Sequence, residues 1–98
     1  MIQYTDVPLT IQIEDADLVD AKIYVSFSQN RRLLFDISDV TVQGDIISLT
    51  LTQDKTKMLS ANVPLAIQVN IIKDGVRKAT EIEYLAVGSN LLKRVLNG

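Results

Sequence analysis

Two groups of carboxylates are the chain's candidates for metal binding or acid–base catalysis. Glu14, Asp15, Asp17 and Asp20 crowd one polar connection. Such an oxygen-rich cluster suits a hard cation such as Ca²⁺, which takes roughly six to eight oxygen ligands. The EF-hand spacing is absent, with no glycine at the sixth loop position and no glutamate at the twelfth. The cluster therefore reads as a solvated acidic loop without a metal. Glu81 and Glu83 stand two apart and share one face of a strand. Paired carboxylates can serve as acid and base, as in glycoside hydrolysis. Lys73, Arg77 and Lys78 belong to the same hairpin, so cross-strand charge pairing is the expectation instead.

The chain has no histidine and no cysteine. Ser-His-Asp and Cys-His catalysis, thiolate metal sites and disulfides are excluded outright. Only oxygen ligands are left for a metal. The expectation is a protein that is not an enzyme and carries no cofactor or metal. Asn30-Arg31-Arg32 and Lys93-Arg94 are small basic spots without interleaved aromatics, and the formal net charge is −2. Neither feature suits nucleic-acid binding.

The scaffold behind these side chains reads as a set of short strands. Ninety-eight residues make one domain, 1–98, and 47% of them are hydrophobic, with many β-branched and few aromatic side chains. Leu9, Ile11 and Ile13 alternate behind Pro8, which belongs at a strand start or on an edge. Leu18 and Val19 are expected to tuck under the end of the sheets. Ile23, Val25 and Phe27 alternate strongly; Asn30-Arg31 reads as a tight hairpin turn, and Leu33, Phe35 and Ile37 should then point inward. Val40 and Val42, the turn Gln43-Gly44-Asp45, and Ile47, Leu49 and Leu51 continue the pattern.

Thr52 is placed to cap a short helix from Gln53 to Leu59 with its hydroxyl. Leu65, Ile67, Val69 and Ile71 resume the alternation up to the hairpin signal Asp74-Gly75. In the answering strand Ala79, Ile82, Tyr84 and Ala86 set the register, with a bulge expected near Arg77–Thr80. A last helical turn is expected at Leu91–Leu96, capped by Ser89 or Asn90. About seven strands at roughly 10-residue spacing give an antiparallel immunoglobulin-like β-sandwich. A small antiparallel barrel is the alternative.

Leu91, Leu92, Val95 and Leu96 place four large apolar residues in a tail, where chains usually fray. Either the tail docks on its own sandwich or it contacts a partner. Tyr24, Leu34, Ile46, Ala66, Ile72 and Leu85 fall on the strand faces opposite the core, as second-layer core or as an assembly patch.

The run Leu49-Thr50-Leu51-Thr52-Gln53-Asp54-Lys55-Thr56 is followed by the apolar strand with central Ile67-Gln68, the turn Asp74-Gly75 and the tail Leu91-Leu92-Lys93. Together with Val25-Ser26-Phe27-Ser28-Gln29, this order resembles small proteins of the tail and baseplate region of phages and prophages of Gram-positive bacteria. The likeness runs from about Ala21 to Leu96 and transfers no site residue. It implies a non-catalytic virion structural or assembly protein acting by protein–protein contacts, with other phage structural proteins or with itself as a homo-oligomer.

The rival expectation is a small ligand- or carbohydrate-binding β-sandwich adaptor, for which the chain offers no Trp and only Tyr4, Tyr24 and Tyr84. Met1-Ile2-Gln3-Tyr4-Thr5-Asp6 lacks the basic and apolar regions of a signal peptide, and no apolar run approaches about 20 residues. The expected location is the virion, or the host cytoplasm during assembly, with no secretion and no membrane.

Overall fold

The computed structural model describes residues 1–97. Eight strands and one short helix follow in the order β1 (Val7–Gln12), β2 (Lys22–Gln29), β3 (Arg32–Ile37), β4 (Thr41–Gln43), β5 (Ile46–Leu51), α1 (Gln53–Thr56), β6 (Leu65–Lys73), β7 (Val76–Ala79) and β8 (Glu83–Leu85). One sheet has the order β1-β5-β4; the other runs β3-β2-β6-β7, with β8 also paired to β6. All strand pairings are antiparallel. Among the described residues no strand belongs to both sheets, so the architecture is a two-sheet sandwich and not a closed barrel. The chain crosses between the sheets at β1–β2, β3–β4 and β5–β6. This connectivity is compatible with an immunoglobulin-like arrangement.

Alternation builds the core. Ile23, Val25 and Phe27 of β2, Leu65, Ile67 and Val69 of β6, and Ile47, Leu49 and Leu51 of β5 are all buried, together with Leu18, Phe35, Leu59 and Val87. The Phe27 and Phe35 rings pack with centroids 5.0 Å apart, and the Lys55 ammonium lies 5.2 Å from the Phe35 centroid. Two hairpins turn where the sequence has its signals. Asn30 and Arg31 adopt φ of 52° and 63°, and Asp74 and Gly75 adopt 52° and 76°. Two successive left-handed residues give the turn whose twist matches the flanking strands.

Two bulges change which residues face inward. Phe27 pairs with Phe35, but Ser28 pairs with Leu33, so Leu34 is the extra residue on β3. One added residue flips the facing. Leu33, expected inside, is 62% exposed, while Leu34 packs against the core. The second bulge separates β7 from β8. Thr80 takes over the ladder there, its Oγ1 accepting from the Val69 N–H at 3.0 Å and its own N–H donating to the Val69 carbonyl at 2.9 Å. The register shifts between the Asn70–Ala79 and Ile67–Glu83 pairs. Leu85 and Val87 therefore turn to the core, and Ile82 and Tyr84, expected to set the inward register, are exposed.

The helix forms at Gln53–Thr56, and Leu59 beyond it is buried against the sheets. Its cap differs from the expected one. Thr52 makes no side-chain capping bond; the Gln53 N–H instead donates at 2.9 Å to Oδ1 of Asp6, 47 residues away. Thr56 is fully buried and ties α1 to Thr5. The first residues then bridge to the end of the chain. Gly88 N–H donates to the Met1 carbonyl at 2.7 Å, and Gln3 N–H donates to the Gly88 carbonyl at 3.1 Å. Ile2 and Gly88 thereby form a parallel bridge, whereas β1 pairs with β5. The N-terminal chain thus changes sheets around Tyr4, whose φ is 61°.

Candidate functional site

The tail after the last strand is the candidate contact element. Asn90 organises its start: Nδ2 donates to the Gln3 carbonyl at 3.0 Å, and Oδ1 accepts from the Leu92 N–H at 3.0 Å. Gln53 on α1 holds its end. Oε1 accepts from the Leu96 N–H at 2.8 Å, and Nε2 donates to the Leu96 carbonyl at 2.5 Å. The expected helical turn at Leu91–Leu96 does not form; the segment is irregular, with bends at Leu91, Leu92 and Arg94. Six residues cannot hold a helix without packing, and the Leu92 and Leu96 backbone groups bond to side chains instead.

The tail docks on its own domain only in part. Its backbone docks on the domain, and its side chains largely do not. Leu91 is wholly exposed, Leu92 and Leu96 are about half exposed, and Val95 is covered more than these three. Leucines held out in solvent on a fixed backbone are unusual for a lid, whose apolar side chains should be hidden.

A second feature lies along one side of the sandwich. There β1 edges one sheet and β7–β8 edges the other, and no strand pairing joins them. A cleft of about 460 Å³ opens between these edges, lined by Ile67, Val69 and Leu85, with Leu9–Gln12 of β1 and the following Ile13 along one wall. Glu81 and Glu83 stand at its mouth with Thr80. Glu83 pairs with the core residue Ile67 and so shares the core-facing side. The expected pairing of these two glutamates with Lys73, Arg77 and Lys78 is not made among the described residues. Lys73 bonds Asp17, and the Arg77 Nε donates to Asn70 Oδ1 at 3.1 Å.

The cleft continues past Ile13 and Thr80 toward the acidic connection. In that connection Leu18 is buried as expected, but Val19 is 66% exposed. Asp17 is organised by a cation from its own chain, with Lys73 Nζ 2.8 Å from Oδ2. The Val19 N–H also donates to Oδ1 at 3.1 Å. The hydrogen bond from Lys73, that N–H and the nearby positive charge hold the Asp17 carboxyl below the usual carboxylate range. No group of three or more potential ligands gathers among the described residues at metal-holding distance.

The outer face of the larger sheet carries a smaller apolar set than expected. Tyr24 and, on the other sheet, Ile46 are exposed, Ala66 and Ile72 are half-buried, and the bulges turn Leu34 and Leu85 inward. Leu33 and Tyr84 take their place. Tyr84 is 66% exposed and borders a cavity of about 460 Å³ with Asn30, Arg31 and Ile82.

Sequence reasoning missed three polar residues that fix this geometry: Gln3, Gln29 and Thr56 are all buried. Gln29 was visible in principle, because it continues the inward phase of Ile23, Val25 and Phe27. Its amide bonds Ser60 and Val63, closing the loop before β6. No helix among the described residues is long and apolar enough to cross a membrane. No protein-family model, no curated protein and no solved structure matches the chain.

Proposed function

We propose that the chain is a non-catalytic structural or assembly protein of a phage or prophage tail or baseplate region, working by protein–protein contact in the virion or, during assembly, in the host cytoplasm. The tail carries this reading: its backbone is fixed by Gln53 and Asn90, while Leu91, Leu92 and Leu96 face solvent. Apolar side chains held at a fixed place on a folded domain are the form a contact surface takes. The motif order from Ala21 to Leu96 supports the same class. Mass spectrometry of purified virions and assembly intermediates from the host tests it. The chain should be present in fixed proportion to tail proteins. Its absence from both fractions overturns the reading.

The rival, a carbohydrate-binding adaptor, draws on Tyr84, an exposed ring beside a cavity that also holds Asn30 and Arg31. Titration with oligosaccharides separates the two. Saturable binding lost in Tyr84→Ala favours the adaptor.

A further inference from the structure

The tail and the side cleft are complementary, and resting on the structural-protein reading we propose that the tail of one copy, Leu91–Leu96, exchanges its bonds to Asn90 and Gln53 for an extended-strand position in the β1/β8 cleft of a second copy. Each partner surface lacks what the other supplies. The outer edges of β1 and β7–β8 carry backbone N–H and C=O groups without a ladder partner. An added strand satisfies such groups and fills the gap between the sheets. β1 has six residues, as does the tail, and six extended residues span about 20 Å.

Charge and polarity agree as well. An extended Leu91–Leu96 puts Leu92, Arg94 and Leu96 on one face and Leu91, Lys93 and Val95 on the other. Either face sets one basic residue between two apolar ones. The cleft offers the inverse, with the carboxylates of Glu81 and Glu83 at the mouth of an apolar lining. None of these four charged residues is in an ion pair among the described residues.

The occupant comes from a second copy because a chain's own tail is directed elsewhere. Bonds from Gly88 and Asn90 to Met1 and Gln3 fix where the tail departs, and Gln53 receives its end. Gln53 follows β5, whose last residue Leu51 pairs with Val7, while the cleft begins at Leu9 and runs the other way. Donor and acceptor surfaces are therefore distinct and set apart along the sandwich. A contact of that kind is head-to-tail, and it closes into rings or extends into filaments.

The test mixes two charge-reversed variants of the full chain. One carries Glu81→Lys and Glu83→Lys in the cleft; the other carries Lys93→Glu and Arg94→Glu in the tail. All four residues are exposed, so both variants should melt like the parent. Sedimentation should show the parent self-associating and each variant alone weakened about tenfold or more. An equimolar mixture should recover association, because each tail then meets a cleft of opposite sign. Parent association that neither reversal weakens, or weakening that mixing does not restore, overturns the tail-in-cleft contact and leaves the structural-protein reading standing. A parent that stays monomeric at millimolar concentration also overturns the contact, while the virion analysis decides the broader reading independently.

Discussion

Thr56 and Thr5 exchange two hydrogen bonds across the end of the sandwich. The Thr56 hydroxyl donates to the Thr5 carbonyl at 2.8 Å and accepts from the Thr5 N–H at 3.0 Å. One side chain thereby satisfies both main-chain groups of a residue 51 positions away. It fixes the short helix to the turn that precedes β1. The near-isosteric Thr56→Val leaves both groups without their partner. Denaturant unfolding should show a loss of about 1–3 kcal/mol, with most of it recovered in Thr56→Ser.

The bulge at Leu34 makes two neighbouring residues behave oppositely. Leu33→Ser should change stability by no more than about 0.5 kcal/mol, since its side chain is already in water. Phe35→Ala should cost about 3–5 kcal/mol, because it empties the contact with Phe27. Equal losses from the two substitutions would mean that the register change is absent.

Ile67 is buried in the lining of the cleft. Ile67→Ala should destabilise by about 2–5 kcal/mol. A loss under about 0.5 kcal/mol would place Ile67 outside the core.

Gln29→Ala removes all three bonds that hold Ser60 and Val63. About 2–3 kcal/mol should be lost. Amide exchange should quicken first at Ser60, whose N–H donates to Gln29 Oε1. Unchanged protection there would contradict the clamp.

The Asp17 carboxyl is held below its ordinary value, chiefly by the hydrogen bond from Lys73. The unfolded chain then binds a proton more readily than the folded one, so stability rises with pH across this interval. The contribution is complete above the ordinary carboxylate value near about 3.9 and fades as pH falls through the lowered one. Both groups are in solvent contact, so the effect is small. Lys73→Met should flatten that part of the acid unfolding curve, taking away the small contribution at neutral pH and leaving stability below the lowered value unchanged. An acid limb identical to the parent's would remove Lys73 as the cause.

The sandwich was legible in the sequence because its evidence is local. Ile23-Val25-Phe27 and Ile47-Leu49-Leu51 alternate without interruption, and Asn30-Arg31 and Asp74-Gly75 are short-range turn signals. The facing of Leu33, Leu34, Tyr84 and Leu85 was not legible, because a bulge depends on how two strands pair and one residue reverses everything beyond it. The same holds for the helix cap, which comes from Asp6 and not from the adjacent Thr52. Of the candidate site, the tail leucines announced themselves by composition. The cleft did not, since it exists only where two edges distant in sequence lie side by side.

The pairing of β1 with β5 and of β2 with β6 also governs how fast the chain can reach this arrangement. The hairpins β2–β3, β4–β5 and β6–β7 close through two-residue turns, on a timescale of about 1–10 μs. None of them can bury its inner face until long loops have brought separate hairpins together, and the entropy of that closure precedes any reward from contact. Pairings this distant in sequence put folding in the range of about milliseconds to seconds, far slower than closure of any one hairpin.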